Sequence, residues 1–277
     1  GFGIVFLTTV RSSLIFNFSY LLLDFSYSIN IFCKCLCVSY NKMLERLSEA
    51  FKIQRQFTEN AAHELRTPLS LMQIQLDLYN SGKHPGNDAD TIQTIKMVTE
   101  QNERLSKMVK TLLDMSELQT VGRDETIIVN ALIDEVLADL EPLAQEKNIK
   151  LIGKCKDVNM VGSDILIYRL VYNLVENAIK YNHSGGQVIV EAYQKEKQVY
   201  LSVEDTGSGI PEELKERVFE PFFRVDKSRS RELGGVGLGL ALVNEIVRVH
   251  DGSIAIRPNP SGGTIIEVQF AVNRTTA

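Results

Sequence analysis

The chain has 277 residues, 44% hydrophobic and 23% charged, with a formal net charge of −5. This leaves room for roughly two globular domains and excludes a wholly disordered chain, a collagen-like repeat and a disulfide miniprotein. The acidic balance argues against direct nucleic-acid binding, which shows as a basic excess or stripe, and four cysteines placed as these are make no secreted disulfide framework.

Residues 1–38 stand apart from the rest. They carry three charges (Arg11, Asp24 and Lys34), eight of the 21 Phe and Tyr residues, and three of the four cysteines. The chain opens with Gly1 and its first methionine is Met43, which reads as a fragment or a processed chain. A spanning helix needs about 20 mostly apolar residues. Here Arg11 and Asp24 break the uncharged stretches, and Ser13, Asn17 and Ser19 dilute the second one. Two readings stay open: a membrane segment, or a poorly ordered, non-native leader. No basic region precedes the apolar run, so a tidy signal peptide is not expected. Cys33, Cys35 and Cys37 alternate, whereas zinc ligands pair across two to four residues with a second pair elsewhere. Only Cys155 remains, which favours surface or membrane-proximal thiols over a metal site.

From Ser39 to about Tyr79 the pattern is helical. Leu47, Phe51, Gln54, Thr58, Ala61 and Leu65 step by three and four, and Leu69, Met72, Leu76 and Tyr79 continue the seam. The breaker cluster Asn80–Asp88 predicts a loop. A second helix is expected from about Asp90 to Leu118, with Ile95, Val98, Asn102, Leu105, Val109 and Leu112 as its seam. One hairpin cannot bury both seams. Two hairpins from two chains can, as a four-helix bundle, so a homodimer is expected.

After a linker near Thr120–Arg123 the pattern changes. Thr126–Val129 reads as a short strand, and Asn130 as the N-cap of a helix to about Lys147. Ile149–Lys154 reads as a strand, and Ser163 as the cap of a helix through Tyr181. Val188–Gln194 and Val199–Glu204 read as a hairpin. A helix over Val236–His250 and a closing hairpin, Ser253–Arg257 with Thr264–Phe270, complete the chain. The fold class is therefore α+β: a helical-hairpin dimerisation domain, then an α/β sandwich with helices on one face of a mixed sheet.

Several polar constellations carry chemistry. His63 lies about 160–240° around the helix from Ala61, Leu65, Leu69 and Met72, so it faces solvent. An isolated histidine there would be a solvated surface residue. Its neighbours change that reading. Glu64 can accept a proton from the imidazole, making a ring nitrogen a better nucleophile. Thr67 lies one turn on, and Pro68 removes a donor and should bend the helix. His-Glu-Leu-Arg-Thr lacks the second histidine of a zinc-protease pattern.

Asn173, Asn177, Lys180 and Tyr181 fall on one helical stripe. Amide oxygens there suit a hydrated magnesium ion and an ammonium suits phosphate, against the plain alternative of a polar solvated face. Asp205-Thr-Gly207-Ser-Gly209 ends a strand, where glycines permit close backbone approach and a buried Asp can accept from an amine. Gly234-Gly235-Val-Gly237-Leu-Gly239-Leu240 leads into a helix whose free amides favour phosphate. The order fits neither a dinucleotide fold nor a P-loop. Phe219–Arg224, followed by Lys227, Arg229 and Arg231, reads as a lid with aromatic anchors, or as an ordinary surface loop.

Taken in this order, these motifs resemble a bacterial sensor histidine kinase of two-component signalling, over about Asn41 to Phe270. The His63 box resembles the family's phosphoacceptor box. The Asn173–Tyr181 stripe resembles its asparagine box. The Asp205 and Gly235–Gly239 clusters resemble its glycine boxes, and Phe219–Phe223 its phenylalanine box. Gly262-Gly263-Thr264 resembles the closing turn of the nucleotide domain.

Composition marks residues 1–38 as an atypical hydrophobic leader, which resembles neither the relay's first helix nor a sensor; the resemblance implies the end of a signal-relay module at 39–56, a dimerisation and phosphotransfer domain at 57–120, and an ATP-binding domain at 121–277. It implies that His63 attacks the γ-phosphate of ATP, that Glu64 is the base, and that Thr67 positions water for dephosphorylating the partner regulator. Asn177, assisted by Asn173, would hold Mg²⁺, and Asp205 would read the adenine amino group. Gly207, Gly209 and Ile210 would line the base pocket. Gly235, Gly237, Leu238, Gly239 and Leu240 would line the phosphates. Lys180 and Arg224 would neutralise charge, with Tyr181, Phe219 and Thr264 also at the nucleotide. His84, His183 and His250 match no functional position and read as ordinary polar residues. The partner implied is the receiver domain of a response regulator, and the place is the bacterial inner membrane with the kinase region cytoplasmic. The alternatives are a nucleotide-binding signalling scaffold and a gyrase-like ATPase.

Overall fold

The three-and-four steps of the first eighty residues give one helix, α1, Phe2–Asn80, in the computed structural model. Residues 2–80, 88–118, 120–226 and 235–272 are described. The breaker cluster after Asn80 and the cations Lys227, Arg229 and Arg231 fall outside them, as do the side chains of Cys33 and Cys35. The helical pattern expected from Ser39 begins much earlier, because Ile4–Val38 contains neither glycine nor proline to stop it. Among the described residues no helix is long and apolar enough to cross a membrane. The membrane-segment reading of residues 1–38 thus finds no support there. Pro68 lies inside α1 without ending it.

The chain divides into two units, residues 1–59 and 60–277. The first is helical from Phe2 onward, with an exposed Arg55–Glu59 pair one turn apart at 2.9 Å, a contact worth little in water.

The second unit holds the rest. α2 spans Asp88–Glu117. Then follow β1 (Glu125–Ile128), α3 (Val129–Glu146), β2 (Lys150–Cys155), β3 (Asn159–Gly162) and α4 (Asp164–Lys180). β4 (Gln187–Lys195), β5 (Gln198–Asp205), two 3-10 turns (Glu212–Leu214 and Arg217–Phe219), α5 (Gly239–Val249), β6 (Ser253–Pro258) and β7 (Thr264–Ala271) complete it. The main sheet has the order β2-β4-β5-β7-β6, parallel between β2 and β4 and antiparallel elsewhere. β1 and β3 form a separate antiparallel pair.

The sheet is mixed, as expected, and buries one face. Val188, Val190 and Ala192 alternate inward on β4, Val199, Leu201 and Val203 on β5, and Ile266, Val268 and Phe270 on β7. They join the buried residues of α3, α4 and α5 in one core. Period-two strands against period-3.6 helices produce this layering, since each element has only one apolar face to hide.

Three local expectations change. α3 starts two residues early, so Ile128 holds the cap position and Asn130 instead donates from Nδ2 to Asp157 Oδ1 at 3.2 Å. Ser163 does sit at the cap of α4, but its side chain makes no cap bond. Its backbone N–H donates to His250 Nε2 at 3.1 Å. The His250 Nδ1 lies 2.9 Å from the Ile246 carbonyl, so a neutral ring donates there and accepts at Nε2. His250 is therefore a buried tie between the end of α5 and the start of α4, not an ordinary polar residue. The last helix begins at Gly239 rather than Val236, because Gly237 takes a φ of 79°.

α4 is the axis of this core, with Leu166, Ile167, Leu170 and Val171 all at 0% exposure. Leu170→Ala should cost about 2–5 kcal/mol through lost transfer energy and a residual cavity. The check is a lower urea midpoint with an unchanged slope.

Candidate active site

A cavity of about 350 Å³ opens between α4, the end of β5, the loop before α5 and β7. Helical spacing brings Asn173, Asn177, Lys180 and Tyr181 to its wall from α4. The loop after β5 supplies Asp205, Gly209 and Ile210; the loop before α5 supplies Gly235, Gly237 and Leu238. Gly239 and Leu240 open α5 at the wall, Thr264 comes from β7, and Arg224 from the segment after the 3-10 turns.

Asp205 is the most constrained of these residues. Its Oδ1 accepts from the Gly207 N–H at 2.8 Å and from the Thr264 N–H at 3.3 Å. Its carbonyl accepts from Asn259 Nδ2 at 2.8 Å. Its Oδ2 accepts no hydrogen bond among the described residues. Burial pushes the carboxyl above its ordinary range, against the two backbone donors that favour the charged form.

Glycines make the close approaches. A Cβ on Gly263, at φ 93°, would stand 2.2 Å from the Asp205 carbonyl, and one on Gly237 would stand 2.6 Å from the Phe223 carbonyl. Both positions are closed to other residues by φ and by space.

The asparagine stripe is oriented by its own helix. Asn173 Nδ2 donates to the Arg169 carbonyl at 2.7 Å. The Asn173 Oδ1 is thereby turned toward Gly239, whose added Cβ would lie 3.0 Å from it and 3.5 Å from Asn177 Nδ2. The Asn173 oxygen and the Asn177 amino group thus face the glycine-rich start of α5. A neutral amide oxygen beside an anion-binding helix end is a ligand type that suits a hard divalent cation.

Next to the stripe lies a charge cluster. Glu176 Oε1 is 3.0 Å from Lys180 Nζ and 2.5 Å from Lys107 Nζ on α2. Burial would raise the Glu176 carboxyl, but Lys180 and Lys107 outweigh it and hold the group below its ordinary range. Burial, aided by the neighbouring Lys107 charge, lowers Lys180.

The phosphoacceptor candidates sit outside the cavity, on α1. His63 is exposed, as its place around the helix requires. Thr67 Oγ1 donates to the His63 carbonyl at 3.2 Å. Glu64 turns elsewhere: its Oε2 lies 2.5 Å from Arg224 Nη2 and 3.8 Å from Arg104 Nη2. The Arg224 side chain is only 4% exposed and also reaches the Val236 carbonyl at 3.3 Å. In this arrangement the carboxylate read as a base is occupied by the arginine read as a phosphate ligand.

Two expected pocket residues stand behind the wall instead. Gly207 is packed so that a Cβ would lie 2.5 Å from the Tyr181 carbonyl; it lets the β5 loop cross the end of α4. Phe219 ends the second 3-10 turn, and its neighbours Val218 and Phe223 reach the cavity in its place. The Phe223 ring carries the Arg217 guanidinium 4.4 Å above its centre. Sequence reasoning also missed Lys107, Thr111 and Glu176 at the wall. Glu176 lay inside the quoted asparagine motif, but no local pattern marks Lys107 or Thr111, which reach the cavity from a distant helix.

Residues 53–121 match the family described as His Kinase A (phospho-acceptor) domain. Residues 162–274 match that described as Histidine kinase-, DNA gyrase B-, and HSP90-like ATPase. The chain belongs to the two-component sensor histidine kinases. The chain is 35% identical over 245 residues to the sensor protein CutS of Streptomyces coelicolor, covering 86% of this chain and 58% of CutS. It is 33% identical over 244 residues to the signal transduction histidine-protein kinase ArlS of Staphylococcus aureus, covering 85% of this chain and 52% of ArlS. The chain thus spans about half the length of these curated relatives.

Among solved structures, the Acinetobacter baumannii histidine kinase AdeS is similar with a TM-score of 0.63 at 25% identity, over 76% of this chain and 98% of that one. Histidine kinase ThkA, solved in complex with the response regulator protein TrrA, is similar with a TM-score of 0.67 at 26% identity, over 81% and 63%. His63, Glu64 and Thr67 fall within the first matched region, and every cavity residue from Asn173 to Thr264 within the second.

The Glu176 cluster gives the fold a signed pH response. A carboxyl held below its ordinary value stabilises the fold above that value and loses the contribution as pH falls through its native pKa. Glu176→Gln should therefore lower stability near neutrality by about 1–3 kcal/mol. Urea titrations of both proteins should show that gap closing on acidification well below pH 4.5.

Proposed function

We propose that this chain phosphorylates its own His63 from ATP and passes the phosphoryl group to an aspartate of a response-regulator receiver domain. The observation that carries the reading is the cavity itself. An asparagine stripe, a half-buried Asp205 and a glycine-rich helix start share one wall, in the same unit as an exposed histidine beside a carboxylate.

Asp205, with an unclaimed carboxylate oxygen, accepts from the adenine amino group. The glycine loop and the start of α5 take the phosphates. Lys180 and Arg224 supply positive charge, which is most of what phosphoryl transfer asks of a protein. Asn177 and Asn173 would hold Mg²⁺ through their amide oxygens; the ion would neutralise charge on the phosphates.

A His63 ring nitrogen attacks the γ-phosphorus, the bond to the β–γ bridging oxygen breaks, and ADP leaves. The imidazole proton passes to Glu64. That role requires Glu64 to leave Arg224, and the incoming phosphates offer Arg224 a stronger anion. In the second transfer, the phosphorus–nitrogen bond breaks as a regulator carboxylate oxygen takes the phosphoryl group. Thr67, one turn from His63, positions water for the reverse, dephosphorylating activity.

Large apolar side chains left exposed on the hairpin support a homodimer. They include Leu69 at 51% and Ile74 at 52% on α1, and Ile95 at 60% and Leu113 at 56% on α2. Burying such seams between two copies makes a four-helix bundle. Placement of the kinase region on the cytoplasmic side of a bacterial inner membrane belongs to the same proposal. It rests on the family and on the ATP chemistry, not on a spanning helix.

With γ-labelled ATP and Mg²⁺, the chain should acquire an acid-labile, alkali-stable label that His63→Ala abolishes. Label that persists in the mutant, or is stable to acid, would contradict the assignment.

A further inference from the structure

Nothing in the sequence singles out Lys107. On α2 it is one cation among many. The structure brings it across to the cavity, where its Nζ lies 2.5 Å from Glu176 Oε1, beside Lys180, Asn173 and Asn177. Thr111, one turn further along α2, lines the same wall. The phosphotransfer hairpin therefore forms part of the nucleotide cavity. The Lys107 side chain remains 52% exposed whereas that of Glu176 is 10% exposed, so the lysine is the movable member of the pair.

We infer that Lys107 is a phosphate-binding residue of the nucleotide site, delivered from the hairpin and held at the cavity by Glu176. The inference rests on the reading of the cavity as an ATP site. Lys107, Lys180 and Glu176 together leave one uncompensated positive charge at this wall. An ammonium has three donors, so Lys107 can keep Glu176 and still reach a phosphate oxygen. Burial works against the Lys107 ammonium, but its bonds to Glu176 outweigh that and keep it charged.

Lys107 also stands one turn from Arg104, the second arginine near Glu64. One stretch of α2 thus carries a phosphate ligand and a neighbour of the base. Polyphosphate binding and docking of the hairpin on the ATP domain then favour each other by linkage, each raising the other by the same factor. Adenosine, which has no phosphates, does not feel Lys107.

The test is calorimetric binding of Mg-ATP and of adenosine to the whole chain, in a His63→Ala background that prevents turnover. Lys107→Ala should weaken ATP about tenfold and leave adenosine unchanged. Lys107→Arg should recover most of the loss, and Lys107→Glu should bind ATP more weakly than Lys107→Ala. Thermal unfolding of each variant separates a folding defect from a binding one. ATP affinity unchanged in Lys107→Ala, or ATP and adenosine weakened equally, would overturn the inference while leaving the nucleotide site standing. A parent protein that binds neither ligand would overturn the nucleotide reading and this inference with it.

Discussion

The site depends on one half-buried carboxylate. Asp205 ends β5, and its Oδ1 gathers the N–H groups of Gly207 and Thr264 while its carbonyl holds the side chain of Asn259. Two segments far apart in sequence are tied at that point: the loop after β5, and the turn that leads from β6 into the start of β7. The turn can come this close because Gly263 has no Cβ and takes φ 93°. The loop can cross the end of α4 because Gly207 has none either. Ser208 then donates its N–H to the Tyr181 carbonyl at 3.2 Å, which fixes the C-terminal end of the asparagine stripe against the same knot. Burying a carboxyl is costly, and the two backbone donors offset part of that cost.

Three ion pairs tie the hairpin to the elements around the nucleotide cavity, beside the buried Met108 of α2 and Leu118 just after it. Arg224 pairs with Glu64, Lys107 with Glu176, and Arg169 with Asp114 at 2.8 Å. Such contacts are directional and exchangeable. Each can be replaced by a phosphate oxygen or by water at modest cost, whereas an apolar seam would have to be pulled apart whole. The proposed chemistry needs the cavity and the His63 imidazole to meet and then separate, which such contacts permit. In the arrangement seen here Glu64 is engaged by Arg224.

Much of this was readable from sequence, for reasons that differ between elements. The α4 stripe was legible because helical spacing is rigid: Asn173, Asn177, Lys180 and Tyr181 must share a face once the helix is granted. The alternating strands β4, β5 and β7 were legible for the same reason at period two. β3 was not, since four residues give no periodicity. Asn130 misled because a good capping residue lay one position inside a helix that began earlier. The extent of α1 was hidden by composition: an aromatic, cysteine-bearing leader looked foreign, yet contains nothing that stops a helix. Lys107 and His250 were invisible because their roles arise only in three dimensions, from partners 69 and 87 residues away. Gly207 and Phe219 showed the converse limit. Their motifs marked the right segments, but packing decided which neighbour reaches the cavity.

The most direct measurement is Mg-ATP binding to Asp205→Asn, read by calorimetry beside thermal unfolding. Asparagine keeps an oxygen for the Gly207 and Thr264 donors but replaces the second acceptor with a donor. The account predicts a folded protein with near-normal unfolding and ATP affinity reduced by at least about tenfold, the cost of one lost charge-assisted hydrogen bond. Unchanged ATP affinity in a folded Asp205→Asn protein would contradict it.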